Sequence, residues 1–346
     1  MNVLLLTSHA IAEHDDLDMF TRMGVACYSI GGAYDDLPFE GKRPAIPNVV
    51  RYPDLEEATN RQRARLSAER GDPDKRPQGG RFYVDWAKAD LAPEVVDWLD
   101  TIVIHHYPEE WLELNWTKLL NKRVIWRTCG QSDLGVESRM YRYAKAGLQI
   151  VRYSPKEAQF FSDQGAFAGE DALIRFGKDP GEWCGWTGTD AVVGNITQHM
   201  MQRGDACGYP FWAAATEGLP TRPAGPGSEE LPGGIGPLPY DEMRQYLRDI
   251  RVYLYTGTRP ASYTLGLIEA MMTGTPVLQM GPGGFEPSGL LEVLAEYHTS
   301  KPEVMAEALR SVLDDGGDNI SRLSRAKAID LFGLERIMGQ WADFLA

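Results

Sequence analysis

The hydrophobic positions of this chain fall into short apolar runs separated by stretches with helical spacing. The first run is Val3–Thr7, and a helix-like stretch at Asp15–Met23 separates it from a second run at Ala26–Ile30. Further predicted strands in the first half are Thr101–His106, Arg123–Thr128 and Gln149–Tyr153. Buried strands that alternate with helices are typical of parallel α/β layers. The first half of the chain is therefore predicted to be an α/β domain.

A second series of apolar runs begins near Asp171. Its predicted strands are Ala172–Phe176, Ala191–Ile196, Thr221–Ala224, Val252–Thr256 and Pro276–Met280. Its predicted helices are Tyr240–Ile250, Ser262–Thr273, Pro302–Leu313 and Leu334–Phe344. The Pro- and Gly-rich stretch Pro220–Pro239 is predicted to be a loop around at most one short strand. Two such series in 346 residues predict two domains of the same α/β class.

A domain junction is predicted at Phe176–Trp186, where the sequence FGKDPGEWCGW has the glycines and the proline of a linker. We therefore expect residues 1–176 to form an N-terminal Rossmann-like domain and residues 187–328 to form a C-terminal one. The segment Glu56–Arg81 loses apolar periodicity after Leu66 and is rich in arginine. It is either a solvated helix and loop or a mobile loop that binds an acceptor.

Composition and charge limit the location and the partners. The formal net charge of −14 argues against a surface built wholly for nucleic acid. The four cysteines form no CxxC pair, so their spacing predicts neither a disulfide framework nor a zinc site. The chain opens on an apolar strand without a signal-peptide pattern, and no apolar run is long enough to span a membrane. A cytoplasmic protein without a bound metal is expected.

The stretch Val252–Gly281 carries the strongest candidate for chemistry. A predicted buried strand leads through a polar loop into a helix that contains Glu269. In a doubly wound sheet, ligands bind where strand ends meet the N-termini of helices. The backbone amides of Thr264, Leu265 and Gly266 would lie at such an N-terminus, which suits a diphosphate. The Glu269 carboxylate could accept hydrogen bonds from two ribose hydroxyls.

The sequence GLIEAMMTGTPV, from Gly266 to Val277, resembles the donor-site signature of GT-B glycosyltransferases, especially the family-4 retaining enzymes. That signature has two glutamates separated by seven residues and then a strand entry of the form Gly-x-Pro-Val. Glu269 matches the second glutamate, which implies a ribose contact, while Ala261 stands where the first is expected. The resemblance implies a GT-B fold with two Rossmann-like domains that face a central cleft. A helix within residues 329–346 would cross back to pack on the N-terminal domain.

The resemblance also implies donor contacts after the predicted strand Ala191–Ile196. Gly194 and Asn195 would start the loop, and Arg203 would hold the donor diphosphate. A positioned cation stabilises this leaving group because its negative charge grows as the glycosidic bond breaks. Arg203 is therefore a catalytic candidate, with a solvated loop cation as the alternative. No metal or prosthetic group is implied, and the expected co-substrate is a UDP- or GDP-sugar.

Polar residues at the strand ends of the first half are candidates for the acceptor side. One of the adjacent His105 and His106 must face a packed layer, since strand residues alternate between sides. Asp15 or Asp16 is alternatively the N-cap of the first helix. By the resemblance, the acceptor-binding candidates are His14, Asp15, His106 and Gln131, and the catalytic candidates besides Arg203 are His106 and Arg127.

Together these features predict a hexosyltransferase that moves a sugar from a nucleoside-diphosphate sugar to an acceptor hydroxyl, with retention of configuration. One alternative is a phage-type DNA glucosyltransferase that modifies 5-hydroxymethylated bases in the host cytoplasm. In that case Arg61–Arg81, Arg139 and Arg142 would contact phosphates. A non-catalytic sugar-nucleotide-binding protein and a GT-B epimerase are further alternatives.

Overall fold

The chain forms two compact units. The computed structural model describes residues 1–7, 10–29, 91, 93–105, 108–130, 133–259, 261–281 and 298–346. The first unit comprises Met1–Tyr153, Phe161–Leu173 and Phe344–Ala346, and the second comprises Ser154–Phe160 and Ile174–Asp343. The predicted linker Phe176–Trp186 thus lies in the second unit, and the last three residues belong to the first. The segment Glu56–Arg81 lies outside the described residues.

The first unit is built on a six-stranded parallel sheet. Its strands are β1 (Asn2–Leu6), β2 (Ala26–Ser29), β3 (Thr101–His105), β4 (Arg123–Arg127), β5 (Gln149–Arg152) and β6 (Ala172–Leu173), in the order β2-β1-β3-β4-β5-β6. Strand β3 is buried at every residue, and β1 and β4 at all but their first. Continuous apolar burial is expected for parallel strands that are covered on both faces. The strand order reverses between β1 and β3.

The helices of the first unit follow its strands along the chain. Those described are α1 (Ala10–Arg22), α2 (Pro93–Trp98), α3 (Glu109–Asn115) and α4 (Leu134–Lys145), and α5 (Pro155–Asp163) is shared between the two units. Helix α4 begins after Asp133, whose Oδ1 accepts a hydrogen bond from the Val136 amide at 2.8 Å. A fully buried ion pair at 2.5 Å, between Arg152 Nη1 and Glu137 Oε1, binds α4 to β5.

The second unit is built on a five-stranded parallel sheet. Its strands are β7 (Asp190–Ile196), β8 (Thr221–Ala224), β9 (Ile250–Tyr255), β10 (Val277–Met280) and β11 (His298–Thr299), in the order β11-β10-β9-β7-β8. Its helices are α6 (Met200–Arg203), α7 (Tyr209–Ala215), α8 (Tyr240–Asp249), α9 (Leu265–Thr273), α10 (Pro302–Asp315), α11 (Asp318–Phe332) and α12 (Leu334–Leu345). The strand order reverses between β7 and β9.

A hydrophobic core fixes α7 and α10 against one face of this second sheet. It joins Val193 and Leu254 of the sheet to Phe211 of α7 and Leu309 of α10. The adjacent strand residues Gly194 and Tyr253 face the other side of the sheet, where Tyr246 of α8 packs. No helix in the described residues is both long enough and apolar enough to cross a membrane.

The predicted fold class is confirmed, since both sheets are parallel and alternate with helices. Three local predictions were wrong, of which the loop at Gly194 and Asn195 is described with the candidate site. The run Ala172–Phe176 does not open the second series, because β6 pairs with β5 in the first sheet. Neither Asp15 nor Asp16 is an N-cap, because α1 already begins at Ala10. Helices α6 and α7 were not predicted, since they are too short for a helical period to appear in the sequence.

Candidate functional site

The loops that follow β7 and β9 meet where the strand order reverses. The Arg259 amide donates to the Ala206 carbonyl oxygen at 2.7 Å, and Thr256 Oγ1 donates to the Cys207 carbonyl oxygen at 2.6 Å. Gly208 lies so close that an added Cβ would be 2.9 Å from Thr256 Cβ, and its φ of +65° favours glycine. Ligands of open α/β sheets bind at such a reversal, beyond the carboxyl ends of the strands. The second unit therefore has a structured candidate site at this position.

The N-terminus of α9 borders the same reversal. Thr264 is the N-cap of α9, and its Oγ1 accepts from the Leu267 amide at 3.4 Å. An added Cβ on Gly266 would lie 3.6 Å from the Ile196 carbonyl oxygen at the end of β7. This is ordinary van der Waals contact, so packing does not require glycine at position 266. Thr264, Leu265 and Gly266, whose backbone amides are predicted to bind the diphosphate, are half-buried.

Two exposed arginines belong to the two joined loops. Arg203 ends α6, in the segment that follows β7, and Arg259 lies between β9 and α9. Burial raises the pKa of the Cys207 thiol, and the positive charge of Arg203 opposes that rise, so Arg203 lies near the junction. The sequence did not indicate Arg259 as a site residue. Its loop is brought to that of Arg203 only by the hydrogen bond between the Arg259 amide and the Ala206 carbonyl oxygen. The described part of the site thus has two cations where one was predicted.

Gly194 and Asn195 lie inside β7, which continues to Ile196 instead of turning into a loop. An added Cβ on Gly194 would be 2.5 Å from Tyr246 Oη, so the glycine permits the close approach of α8. Asn195 is fully buried, and its Nδ2 donates to the Leu254 carbonyl oxygen at 2.7 Å. Both residues therefore have a packing role, and their contact with the donor stays a prediction.

Glu269 is buried and forms an ion pair with a residue that the sequence did not single out. Its Oε1 lies 2.6 Å from Nζ of Lys178, and both side chains are nearly inaccessible to solvent. Lys178 precedes Glu269 by 91 residues, in the predicted linker. The ribose contact of Glu269 stays a prediction. The carboxylate that would make this contact is paired with Lys178.

Two side chains at the strand ends of the first unit, His105 and Arg127, form one buried cluster with Asp16 of α1. Asp16 Oδ2 of α1 lies 2.9 Å from Nε2 of His105 and 2.5 Å from Nη1 of Arg127. Burial pushes the pKa of Asp16 upward, but the charge of Arg127 and the hydrogen bond with His105 outweigh it, so the pKa is lowered. Burial is also the main cause of the lowered pKa of His105. Arg127 is fully buried against Asp16, and its predicted catalytic role remains untested.

The acceptor candidates occupy different settings. His14 and Asp15 lie within α1, with His14 Nδ1 3.7 Å from Asp15 Oδ1. Of the adjacent histidines, His105 lies in a packed layer, as the alternation predicted for one of them. His106 and Gln131 lie outside the described residues. In the described part of the chain, no three His, Cys, Asp or Glu residues are grouped to hold a metal ion.

Two arginines that were considered for DNA phosphates are paired with acids of the neighbouring helix. Arg139 contacts Glu109 through its Nε, and Arg142 Nη2 lies 2.7 Å from Glu113 Oε1. Each pair joins α4 to α3 and leaves no net charge at its position. This face of α4 is therefore less positive than its sequence suggests.

Comparison with solved structures finds similar chains. No protein-family model and no curated protein matches this sequence. Anabaena HepE, solved in complex with UDP, superposes with a TM-score of 0.65 at 14% identity and covers 100% of this chain and 99% of its own. Sucrose-phosphate synthase from Thermosynechococcus elongatus gives 0.65 at 13% identity, covering 100% and 98%. A glycosyltransferase from Rickettsia africae gives 0.64 at 12% identity, covering 99% and 97%.

These likenesses extend over almost the whole of this chain and of each similar structure. At such low identity they establish the fold and carry no single residue from one protein to another. The fold is the GT-B fold, as the resemblance of Gly266–Val277 implied.

Proposed function

We propose that this chain is a glycosyltransferase that binds a nucleoside-diphosphate sugar in its second unit. The observation that carries the proposal is the reversal point between β7 and β9, where two joined loops, two arginines and the N-terminus of α9 come together. Strand-order reversals are the usual ligand sites of open α/β sheets. The similarity to HepE, solved with UDP and with UDP-glucose, supports a uridine nucleotide as the first donor to test.

The groups at this reversal suit a departing diphosphate. The backbone amides at the start of α9 would hold phosphate oxygens, because the first amides of a helix have no partner within the helix. Arg203 and Arg259 would stabilise the negative charge that develops as the sugar leaves. Glu269 would accept hydrogen bonds from the ribose. In this arrangement protein cations and amides neutralise the leaving group.

For the acceptor, we propose a hydroxyl bound by the first unit, with His14 and Asp15 among its contacts. Retention of configuration and a cytoplasmic location are part of the proposal and rest on sequence reasoning. A DNA acceptor is the weaker alternative, because Arg139 and Arg142 are already paired with Glu109 and Glu113. Paired arginines attract phosphates less than free ones, so this face gives little support to DNA binding.

A thermal-shift screen with UDP, GDP, ADP, CMP and their common sugar conjugates tests the donor site. A ligand that binds only the folded state raises the melting temperature with its concentration. We expect a clear shift with one nucleotide class, with UDP tested first. If no nucleotide raises the melting temperature at millimolar concentration, the donor assignment is wrong.

The products formed from the bound donor then separate the remaining classes of protein. A transferase is expected to release free sugar slowly to water and to modify an added acceptor. An epimerase would return an altered sugar, and a non-catalytic binding protein would leave the donor unchanged. Hydroxymethylated DNA belongs in the acceptor panel with unmodified DNA as its matched control.

A further inference from the structure

The ion pair between Lys178 and Glu269 joins a loop residue to the centre of α9. Lys178 Nζ lies 2.6 Å from Glu269 Oε1, and the two side chains are 3% and 4% exposed. The ammonium group also lies 5.4 Å from the centroid of the Trp183 ring, which favours a cation. Removing one member of a buried pair is costly, because the other charge is left without compensation. Lys178 Nζ is therefore held by two contacts, one with Glu269 and one with the Trp183 ring.

The main chain around Lys178 is held as firmly as its side chain. The Lys178 amide donates to the Phe332 carbonyl oxygen at 2.8 Å, and the Lys178 carbonyl oxygen accepts from the Leu334 amide at 2.9 Å. An added Cβ on the preceding Gly177 would lie 2.9 Å from Leu334 Cδ1, so Gly177 packs closely against α12. Lys178 thus extends from a segment that is bound to the junction of α11 and α12.

The same segment is held at its other end by Arg325 of α11. Arg325 Nη1 donates to the Trp183 carbonyl oxygen at 2.7 Å, and Nη2 donates to the Pro180 carbonyl oxygen at 2.9 Å. Trp183 is buried and packs edge-on against Tyr240 with the ring centroids 5.8 Å apart. The loop that carries Lys178 is therefore fixed to α8, α11 and α12 of the second unit.

A carboxylate needs a fixed plane to bind a ribose. The two ribose hydroxyls are neighbours, and recognising both requires that the acceptor lone pairs point in set directions. An ammonium group takes one acceptor site of one oxygen, while a carboxylate has about four. An ion pair to a fixed loop can therefore set the plane of the Glu269 carboxylate.

We propose that Lys178 is a positioning residue that orients the Glu269 carboxylate, and thereby sets the preference of the donor site for a ribose with free hydroxyls. This role of Lys178 rests on the proposed donor function, because Lys178 would orient the carboxylate that makes the ribose contact selective. Lys178 itself does not contact the nucleotide in this proposal.

The test compares UDP with 2′,3′-dideoxy-UDP by calorimetry on the full chain and its Lys178 variants. A hydrogen bond to a charged group contributes about 1.5–3 kcal/mol, so the wild type should bind UDP roughly 10- to 100-fold more tightly than the dideoxy compound. In Lys178→Met we expect this ratio to fall to about 1–3, with dideoxy-UDP affinity nearly unchanged. Lys178→Arg, which keeps the charge and the donors, should restore most of the ratio.

Lys178→Gln serves as a second variant, because its amide leaves a polar partner beside Glu269 if Lys178→Met does not fold. A merely structural lysine would weaken both ligands equally and leave the ratio unchanged. A folded Met or Gln variant with the wild-type ratio therefore overturns the proposal, as does a wild type that binds both ligands equally. Absence of UDP binding to the wild type would instead contradict the donor function itself.

Discussion

The side chains of Asp16, His105 and Arg127 form a buried charge cluster in the described part of the first unit. Three charged or titratable side chains from α1, β3 and β4 meet in a space without access to solvent. Burying charge is unfavourable unless it is paired, so the cluster stabilises the fold only while Asp16 is ionised. Its stability contribution must therefore depend on pH.

His105→Gln is expected to reduce this pH dependence. The pKa of His105 is lowered in the folded state by burial, so below about pH 6.5 the unfolded chain binds a proton that the folded chain does not. Wild-type stability should then fall on acidification, by up to about 1.4 kcal/mol per pH unit from this residue. Gln keeps an N–H donor for Asp16 and cannot titrate.

Urea unfolding at pH 7, 6 and 5 measures the effect, with far-UV circular dichroism as the readout. Parallel pH profiles for wild type and variant would show that His105 does not contribute. The lowered pKa of Asp16 affects the free energy of unfolding at lower pH than His105 does. The stabilisation from ionised Asp16 is lost only as the pH drops below about 3.9.

Arg203→Ala is expected to lower turnover more than donor binding. If the guanidinium stabilises charge that appears only as the sugar departs, kcat should fall about 100-fold or more while the Kd for UDP-sugar changes little. Initial rates at saturating donor, with calorimetry for the Kd, separate the two effects. Arg139→Ala is the matched control, since that arginine lies in the first unit beside Glu109. An unchanged kcat would identify Arg203 as a solvated loop cation.

Individual residues of the site were predictable only where the signal is local. Glu269 lies within one short motif and on α9, and Thr264, just before that motif, is the N-cap of the same helix. Lys178 and Arg259 were missed, because their importance comes from contacts set by the path of the chain. The pair of Arg127 with Asp16 spans 111 residues, and no spacing in the sequence reveals it.

At the scale of elements, the end of α9 shows why the recognised motif could be located. Gly274 ends the helix with φ +94°, a conformation that favours glycine. Thr275 Oγ1 then donates to the Leu247 carbonyl oxygen at 2.6 Å, and the Pro276 carbonyl oxygen accepts from the Tyr253 amide at 2.8 Å. These steps turn the chain from α9 directly into β10. The motif thus contains the glycine that ends the helix in this conformation, so the turn into β10 can be recognised from the sequence.

Two glycines near the proposed donor site should respond oppositely to alanine. Gly194→Ala places a methyl group 2.5 Å from Tyr246 Oη and should destabilise the second unit by about 1–3 kcal/mol. Gly266→Ala meets nothing closer than 3.6 Å and should leave stability unchanged or raise it by up to about 1 kcal/mol. If a diphosphate approaches the amide of Gly266, the same methyl group should weaken UDP binding at least about tenfold.

Urea unfolding and calorimetry on both variants provide the comparison. The pair is informative because each glycine acts as the control for the other. Normal UDP affinity in Gly266→Ala would show that the diphosphate does not lie close to this turn of α9.

At the scale of the whole molecule, the last residues of the chain belong to the first unit. The Nη2 of Arg123, at the start of β4, donates to the Phe344 carbonyl oxygen, and its guanidinium carbon lies 4.7 Å from the centroid of the Phe344 ring. Deletion of Phe344–Ala346 should therefore destabilise the first unit by about 1–3 kcal/mol. Phe344→Ala, which removes the ring and keeps the carbonyl group, should cost about 1 kcal/mol.

Circular dichroism during urea unfolding measures both variants. Equal stability of the deleted and complete chains would show that the contact between Arg123 and Phe344 contributes nothing. This arrangement was predicted only in outline, as a helix within residues 329–346 that returns to the first domain. The sequence does not indicate that the return is confined to three residues.

The distance in sequence between Arg123 and Phe344 also sets an order of events during synthesis. The two residues are separated by 221 positions. At a translation rate of about 5–20 residues per second, Phe344 is added roughly 10–45 seconds after Arg123. The amino-terminal sheet therefore leaves the ribosome without its final partner. Until Phe344 is added, we expect β4 to have an exposed arginine, available to a chaperone that binds nascent chains.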